Sequence, residues 1–167
     1  MPEPLAICLE DLKSPTNEGR YLRCVAIVGR RPGLRIAASG DVTWKLEDER
    51  VCAEIWVSAD DRLILFRPEG SPEVSLHRSG RSLELPFGKP VVMIAGDVIE
   101  AGERRLKVHV HGAAKVVAEP SPLPVEKKSA VAKMAAAVAL SAAMAGGCGA
   151  GIDVRSDPPD VGEPIQT

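Results

Sequence analysis

The side chains with the most chemical potential in this 167-residue chain are four cysteines and three histidines. His109 and His111 stand two apart in "RRLKVHVHG". On a strand that spacing puts both imidazoles on one face, the start of a metal site that would need His77 or Glu103 as a third ligand. The flanking Arg105 and Lys107 oppose a cation, so an exposed polar strand face is the competing reading and the one adopted, with no metal expected. Cys52 is the candidate nucleophile, but it sits in "VCAEIWVS", an alternating apolar strand where thiols are inert. Cys8, Cys24, Cys52 and Cys148 show no Cys-x-x-Cys spacing. That argues against a zinc site or disulfide framework, and reads the first three as buried reduced thiols. Nothing pairs a nucleophile with a placed base, so no catalytic residue and no cofactor is assigned.

Composition narrows the partners. Aromatic residues make up 3% of the chain and the formal net charge is -2. The first disfavours base-stacking platforms, and the second leaves no electrostatic footprint for nucleic acid. The short basic runs "GRRPGLR" and "GERRLK" read as solvated turns, not phosphate cradles. A protein partner is the expectation that remains.

The elements that would position these groups are strands. "YLRCVAIVG", "LRIAAS", "DVTWKL", "VCAEIWVS", "DDRLILFRPEG" and "EVSLHRSGRSLEL" are short, apolar or alternating, and punctuated by Gly, Pro, Ser and Asp. In "RRLKVHVHG", Leu106, Val108 and Val110 should face in, and Arg105, Lys107, His109 and His111 out. Ser79-Gly80 is a plausible hairpin turn. The pattern predicts a mainly β antiparallel sandwich over 20–112. Residues 1–19 read as an N-terminal extension, with no basic region or long apolar run to make a secretory signal. Pro120, Pro122 and Pro124 mark 113–129 as an extended linker. An Ala-rich helix is expected over 130–149 and a disordered tail over 150–167.

The segment Cys52-Ala53-Glu54-Ile55, with Gly96-Asp97-Val98-Ile99, Gly102 and Leu106-Lys107-Val108 later on, makes residues 20–112 resemble a forkhead-associated (FHA) domain, most clearly from Cys52 onward. Cys52-Ala53-Glu54-Ile55 stands where that family has a His-Ala-x-Ile strand. Gly96-Asp97-Val98-Ile99, Gly102 and Leu106-Lys107-Val108 match its closing Gly-Asp-x-Ile-x-x-Gly and Leu-x-Val pattern. The resemblance implies a β-sandwich that mediates protein contacts, usually by binding phosphothreonine peptides in signalling. That chemistry uses an Arg for the phosphate, a Ser hydroxyl beside it and an Asn on the peptide backbone. The corresponding positions are degenerate: Ala37-Ala38-Ser39 replaces Gly-Arg-Ser, Glu49-Arg50-Val51-Cys52 replaces Ser-Arg-x-His, and Ser79-Gly80 replaces Asn-Gly. Ser39, Arg50, Ser79 and Gly80 are therefore the binding positions the resemblance carries over. A carboxylate at Glu49 would repel a phosphate. The reading is a non-enzymatic, phosphate-independent FHA-type interaction module. Its alternatives are a phosphothreonine-reading adaptor, and a small enzyme or metal protein using Cys52 or His109 and His111.

The run "KKSAVAKMAAAVALSAAMAGGCGAG" raises localisation. No charged side chain lies between Met134 and Ile152, a length that can span a bilayer of about 20 apolar residues. Lys127, Lys128 and Lys133 precede it, which would keep the β domain in the bacterial cytoplasm with a single-pass anchor in the inner membrane. Its competitor is a soluble Ala-rich helix. Cys148 after Ala145-Gly146-Gly147 resembles a bacterial lipoprotein box, which marks it as a lipidation candidate. The order of FHA-type domain, linker and one spanning helix also resembles an inner-ring protein of the type III secretion apparatus.

Overall fold

The computed structural model of the chain describes residues 1–31, 33–46 and 50–124. Glu49, the Ala-rich segment 130–149, Cys148 and the tail 150–167 lie outside the described residues. The described residues form twelve strands: β1 (Leu5–Asp11), β2 (Tyr21–Ala26), β3 (Leu34–Ala37), β4 (Val42–Thr43), β5 (Val51–Val57), β6 (Leu63–Phe66), β7 (Val74–Arg78), β8 (Arg81–Glu84), β9 (Pro90–Met93), β10 (Val98–Ala101), β11 (Arg104–Ala113) and β12 (Ser121–Pro122). Among the described residues there is no helix, and so none long and apolar enough to cross a membrane.

The strands form two antiparallel sheets. One has seven strands in the order β12-β2-β1-β11-β10-β7-β8, the other five in the order β4-β3-β5-β6-β9. Alternation along each strand sends one set of side chains into a shared core. Ile7, Leu9, Ile99 and Val108 come from the larger sheet, and Leu34, Ile36, Ile55 and Leu65 from the smaller. All are essentially inaccessible to solvent. Beyond β2 the chain crosses between the sheets: Val57 N–H donates to Ile27 O at 2.9 Å, and Gly29 N–H to Val57 O at 3.0 Å.

Three sequence expectations are corrected. Residues 1–19 are no mere extension, because β1 lies inside the larger sheet, between β2 and β11. Its Leu5-Ile7-Leu9 alternation supplies core contacts, while Glu10 and Asp11 are buried, Glu10 paired with Arg20 just before β2 and Asp11 with Arg104 of β11. The expected linker begins as structure: Ala114 N–H donates to Pro4 O at 2.6 Å, and β12 pairs with β2. In β11, alternation fails at its end. The register passes from Ile7↔Val110 to Ala6↔Gly112, which makes His111 a bulge, and Val110 is 36% exposed instead of buried.

Candidate functional site

The residues carried over from the FHA resemblance divide between two ends of the sandwich. Ser39 lies in the β3–β4 turn. Ala37 N–H donates to Asp41 O at 2.8 Å, Gly40 N–H donates to Ala37 O at 2.9 Å, and Ala38 N–H donates to Arg50 O at 3.0 Å. Ser39 and Arg50 are therefore neighbours. The β10–β11 turn abuts them, since a Cβ on Gly102 would meet Ala38 O at 2.6 Å.

Ser79 and Gly80 are at the other end. β10 runs antiparallel to β7, with Ala101 opposite Val74 and Val98 opposite His77. The Ser79-Gly80 turn thus sits beyond the Val98 end of β10, and Ser39 beyond its Ala101 end. Both turn residues have positive φ, 49° and 77°, and join the paired Arg78 and Arg81. The expected hairpin turn forms there, at the opposite end of β10 from Ser39 and Arg50.

In the cleft beside Ser39 the charges are paired. Ser39 Oγ donates to Asp41 Oδ2 at 3.0 Å and accepts Asp41 N–H at 3.3 Å. Arg104 Nη1 donates to Asp11 Oδ2 at 2.5 Å, and its Nη2 lies 4.0 Å from Asp41 Oδ1. Arg20 donates to Glu10 Oε1 through Nε at 3.2 Å and Nη2 at 2.9 Å. A cleft of about 330 Å³ opens here, with Asp11, Arg20, Asp41 and Arg104 among its lining residues. Each guanidinium in it already holds a carboxylate, so the cleft offers an incoming anion no unpaired fork. Arg50 itself is exposed, with no side-chain hydrogen bond or ion pair among the described residues.

The other candidate groups are dispersed. His109 Nε2 lies 2.9 Å from Glu10 Oε2, and His77 Nε2 lies 2.9 Å from Glu100 Oε2, on separate parts of the larger sheet's outer face. Among the described residues no three His, Cys, Asp or Glu groups converge as a metal site. Cys52 is fully buried, and burial pushes its thiol up. No histidine hydrogen bonds to it among the described residues.

Two arginines take roles that the sequence does not assign: Arg67, which it gives none, and Arg30 of "GRRPGLR", which reads as part of a solvated turn. Arg67 is 5% exposed; it donates to Leu85 O at 2.9 Å and to Glu84 at 3.2 Å, and stacks 4.0 Å from the Phe87 ring centroid. Its only sequence signal is a cation directly after the apolar run Leu63–Phe66. Arg30 lies 3.9 Å from the Phe66 ring and 5.3 Å from Trp56, and pairs with Glu54 at 2.9 Å. It thereby covers the outer-face cluster Trp56, Ile64 and Phe66.

No family model matches the chain, and no curated protein or solved structure shows significant similarity to it.

Proposed function

We propose that the β-sandwich is a non-enzymatic protein-interaction module of FHA type that works without phosphate. The fold class supports the reading, and so does the role of the Gly-Asp-x-Ile segment. Gly96, at φ 91°, donates to Val108 O at 2.7 Å. Asp97 is buried and accepts Arg78 and the Ile94 N–H, while Ile99 is fully in the core. The carrying observation for phosphate independence is the Ser39 hydroxyl held by Asp41 beside an Arg104 already occupied by Asp11. A phosphate dianion entering there would meet two carboxylates, an Arg104 already occupied and a Ser39 hydroxyl already bonded to Asp41, with the exposed Arg50 left as an uncommitted guanidinium among the described residues.

The test is calorimetric titration of the full chain with phosphothreonine peptides and their unphosphorylated forms, using wild type and Arg50→Ala. The expected result is no preference for the phosphorylated form, and a protein partner retained by Arg50→Ala. Phosphopeptide binding that Arg50→Ala abolishes would make the domain a phospho-reader instead.

The proposal includes tethering of the module to the bacterial inner membrane through residues 130–149, with the β domain in the cytoplasm. It rests on the uncharged run from Met134 to Ile152 and the lysines before it. Fractionation of the full chain should place it with membranes, and a chain ending at residue 124 should move to the soluble fraction. A full chain found wholly in the soluble fraction would remove the tether.

A further inference from the structure

Four strands in the described residues end a sheet: β12, β8, β4 and β9. β12 contains Pro122, β9 begins at Pro90, and β4 has two residues. Proline and shortness are the usual ways to blunt an edge against further pairing. β8, Arg81-Ser82-Leu83-Glu84, is twice the length of β4 and has no proline; Arg81 and Glu84 are charged, but they flank the uncharged Ser82-Leu83, and all four residues are exposed.

The hairpin geometry identifies the groups β8 offers. Arg78 and Arg81 flank a two-residue turn, so they form a hydrogen-bonded pair, as do Leu76 and Leu83 two positions on. Leu85 N–H donates to Val74 O at 2.8 Å and continues the alternation. Ser82 and Glu84, at the intervening positions, direct their N–H and C=O away from β7. Among the described residues these donors and acceptors are unfilled, at the spacing an added strand requires.

The side chains beside that edge add selectivity. Leu83 is 49% exposed although it stands opposite Leu76, which is in the core. With Val91 of β9 these residues line an apolar groove of about 300 Å³ between the two sheet edges, rimmed by Arg78 and Arg81. Arg78 is committed to Asp97, whereas Arg81 has no ion-pair partner among the described residues.

We infer that β8 is the docking edge of the module, and that its occupant is an extended acidic–apolar segment of a partner protein. This deepens the protein-interaction reading and rests on it. The segment adds antiparallel to β8 through Ser82 and Glu84. Its residue opposite Leu83 is apolar and enters the groove. Its residue two positions later is acidic and meets Arg81. The recognised pattern is therefore apolar-x-acid, read from N to C.

The test is an NMR titration of the isotope-labelled full chain with the peptide Ac-Thr-Lys-Leu-Thr-Glu-Thr-amide. The reversed peptide and one with Leu and Glu exchanged serve as controls. The expected result is saturable shifts at the Ser82, Leu83 and Glu84 amides for the first peptide alone. Ser82→Pro removes an outward N–H without touching the β7 ladder, and should bind about tenfold more weakly, the loss of one hydrogen bond. Arg81→Glu, an exposed change that leaves the fold in place, should turn the preference to a peptide with Lys in place of Glu.

Absence of saturable shifts, shifts confined to the Ser39–Asp41 turn, or Ser82→Pro binding at wild-type strength would overturn the inference. A concentration-dependent dimer in sedimentation, broken by Ser82→Pro, would overturn the foreign strand in favour of a second copy. A purified partner that binds Ser82→Pro as tightly as wild type would sink the β8 assignment and leave the interaction reading intact. A chain with no protein partner would remove both.

Discussion

Arg78 grips Asp97 through two hydrogen bonds, Nε to Oδ1 at 2.7 Å and Nη2 to Oδ2 at 2.6 Å. Arg78 Nη2 also donates to Val92 O at 2.9 Å, and Asp97 Oδ2 accepts Ile94 N–H at 2.9 Å. One ion pair thus ties the β7–β8 hairpin of the larger sheet to the segment following β9 of the smaller. Hydrogen bonding to Asp97 pushes the Arg78 guanidinium up from its ordinary value. The carboxylate side chain is 1% exposed and the guanidinium side chain 42%. Asp97→Ala should cost about 2–3 kcal/mol, because it removes charge-assisted bonds and leaves Ile94 N–H unpaired, while Arg78 can rehydrate. Urea unfolding measures it. A change within about 0.5 kcal/mol would show that the pair is idle.

Gly40 gives a second prediction. Its φ is +87°, and a Cβ built there would fall 1.8 Å from Cγ of Arg104. Arg104 is held in place by Asp11, so its stem cannot simply swing aside. Gly40→Ala should therefore destabilise by about 2 kcal/mol, combining left-handed strain with displacement of the arginine. In an Arg104→Ala background the same change should cost measurably less. Equal costs in the two backgrounds would mean that backbone conformation alone is responsible.

Glu10 sets an acid dependence. Its carboxyl is held below the ordinary value of 4.5, first by the hydrogen bond from His109 and then by Arg20, against the opposing effect of burial. A lowered carboxyl contributes stability that is complete above its unfolded value and is lost as pH falls through the folded one. The urea midpoint of wild type should drop more steeply than that of Glu10→Gln between about pH 6 and pH 3. Parallel profiles would exclude Glu10 as the titrating group.

The cysteines set an alkaline dependence. Burial, with a smaller contribution from Cys8, pushes the Cys24 thiol up to about 12, and burial also raises Cys8 and Cys52. A raised thiol contributes stability that is complete below its ordinary value of 9.0 and is lost as pH climbs toward 12. At about pH 8 a thiol reagent should leave Cys8, Cys24 and Cys52 unmodified in the folded protein and label all three in denaturant. Mass-spectrometric mapping reads the sites. Rapid native labelling of Cys52 would revive it as a nucleophile.

Much of the fold was legible because its signals are local. "VCAEIWVS" and "LILF" are apolar runs of strand length, and Ser79-Gly80 is the turn its residue types favour. β1 was missed because Glu10 and Asp11 look solvent-facing. They are buried only because His109 and Arg104 reach them across about a hundred residues of sequence. No local pattern encodes that pairing. The bulge at His111 escaped for a similar reason, since alternation within one strand does not record a slip against its neighbour.

The sequence by itself determined the β class, most strand positions and the aromatic and charge content, since side-chain period and turn chemistry act over a few residues. Only the tertiary structure decided which charges neutralise one another and which turns share an end. It separated Ser39 and Arg50 from Ser79 and Gly80, bound Ser39 to Asp41, and left β8 open at an edge. Those outcomes depend on strand order and register, which arise from packing two sheets around one core.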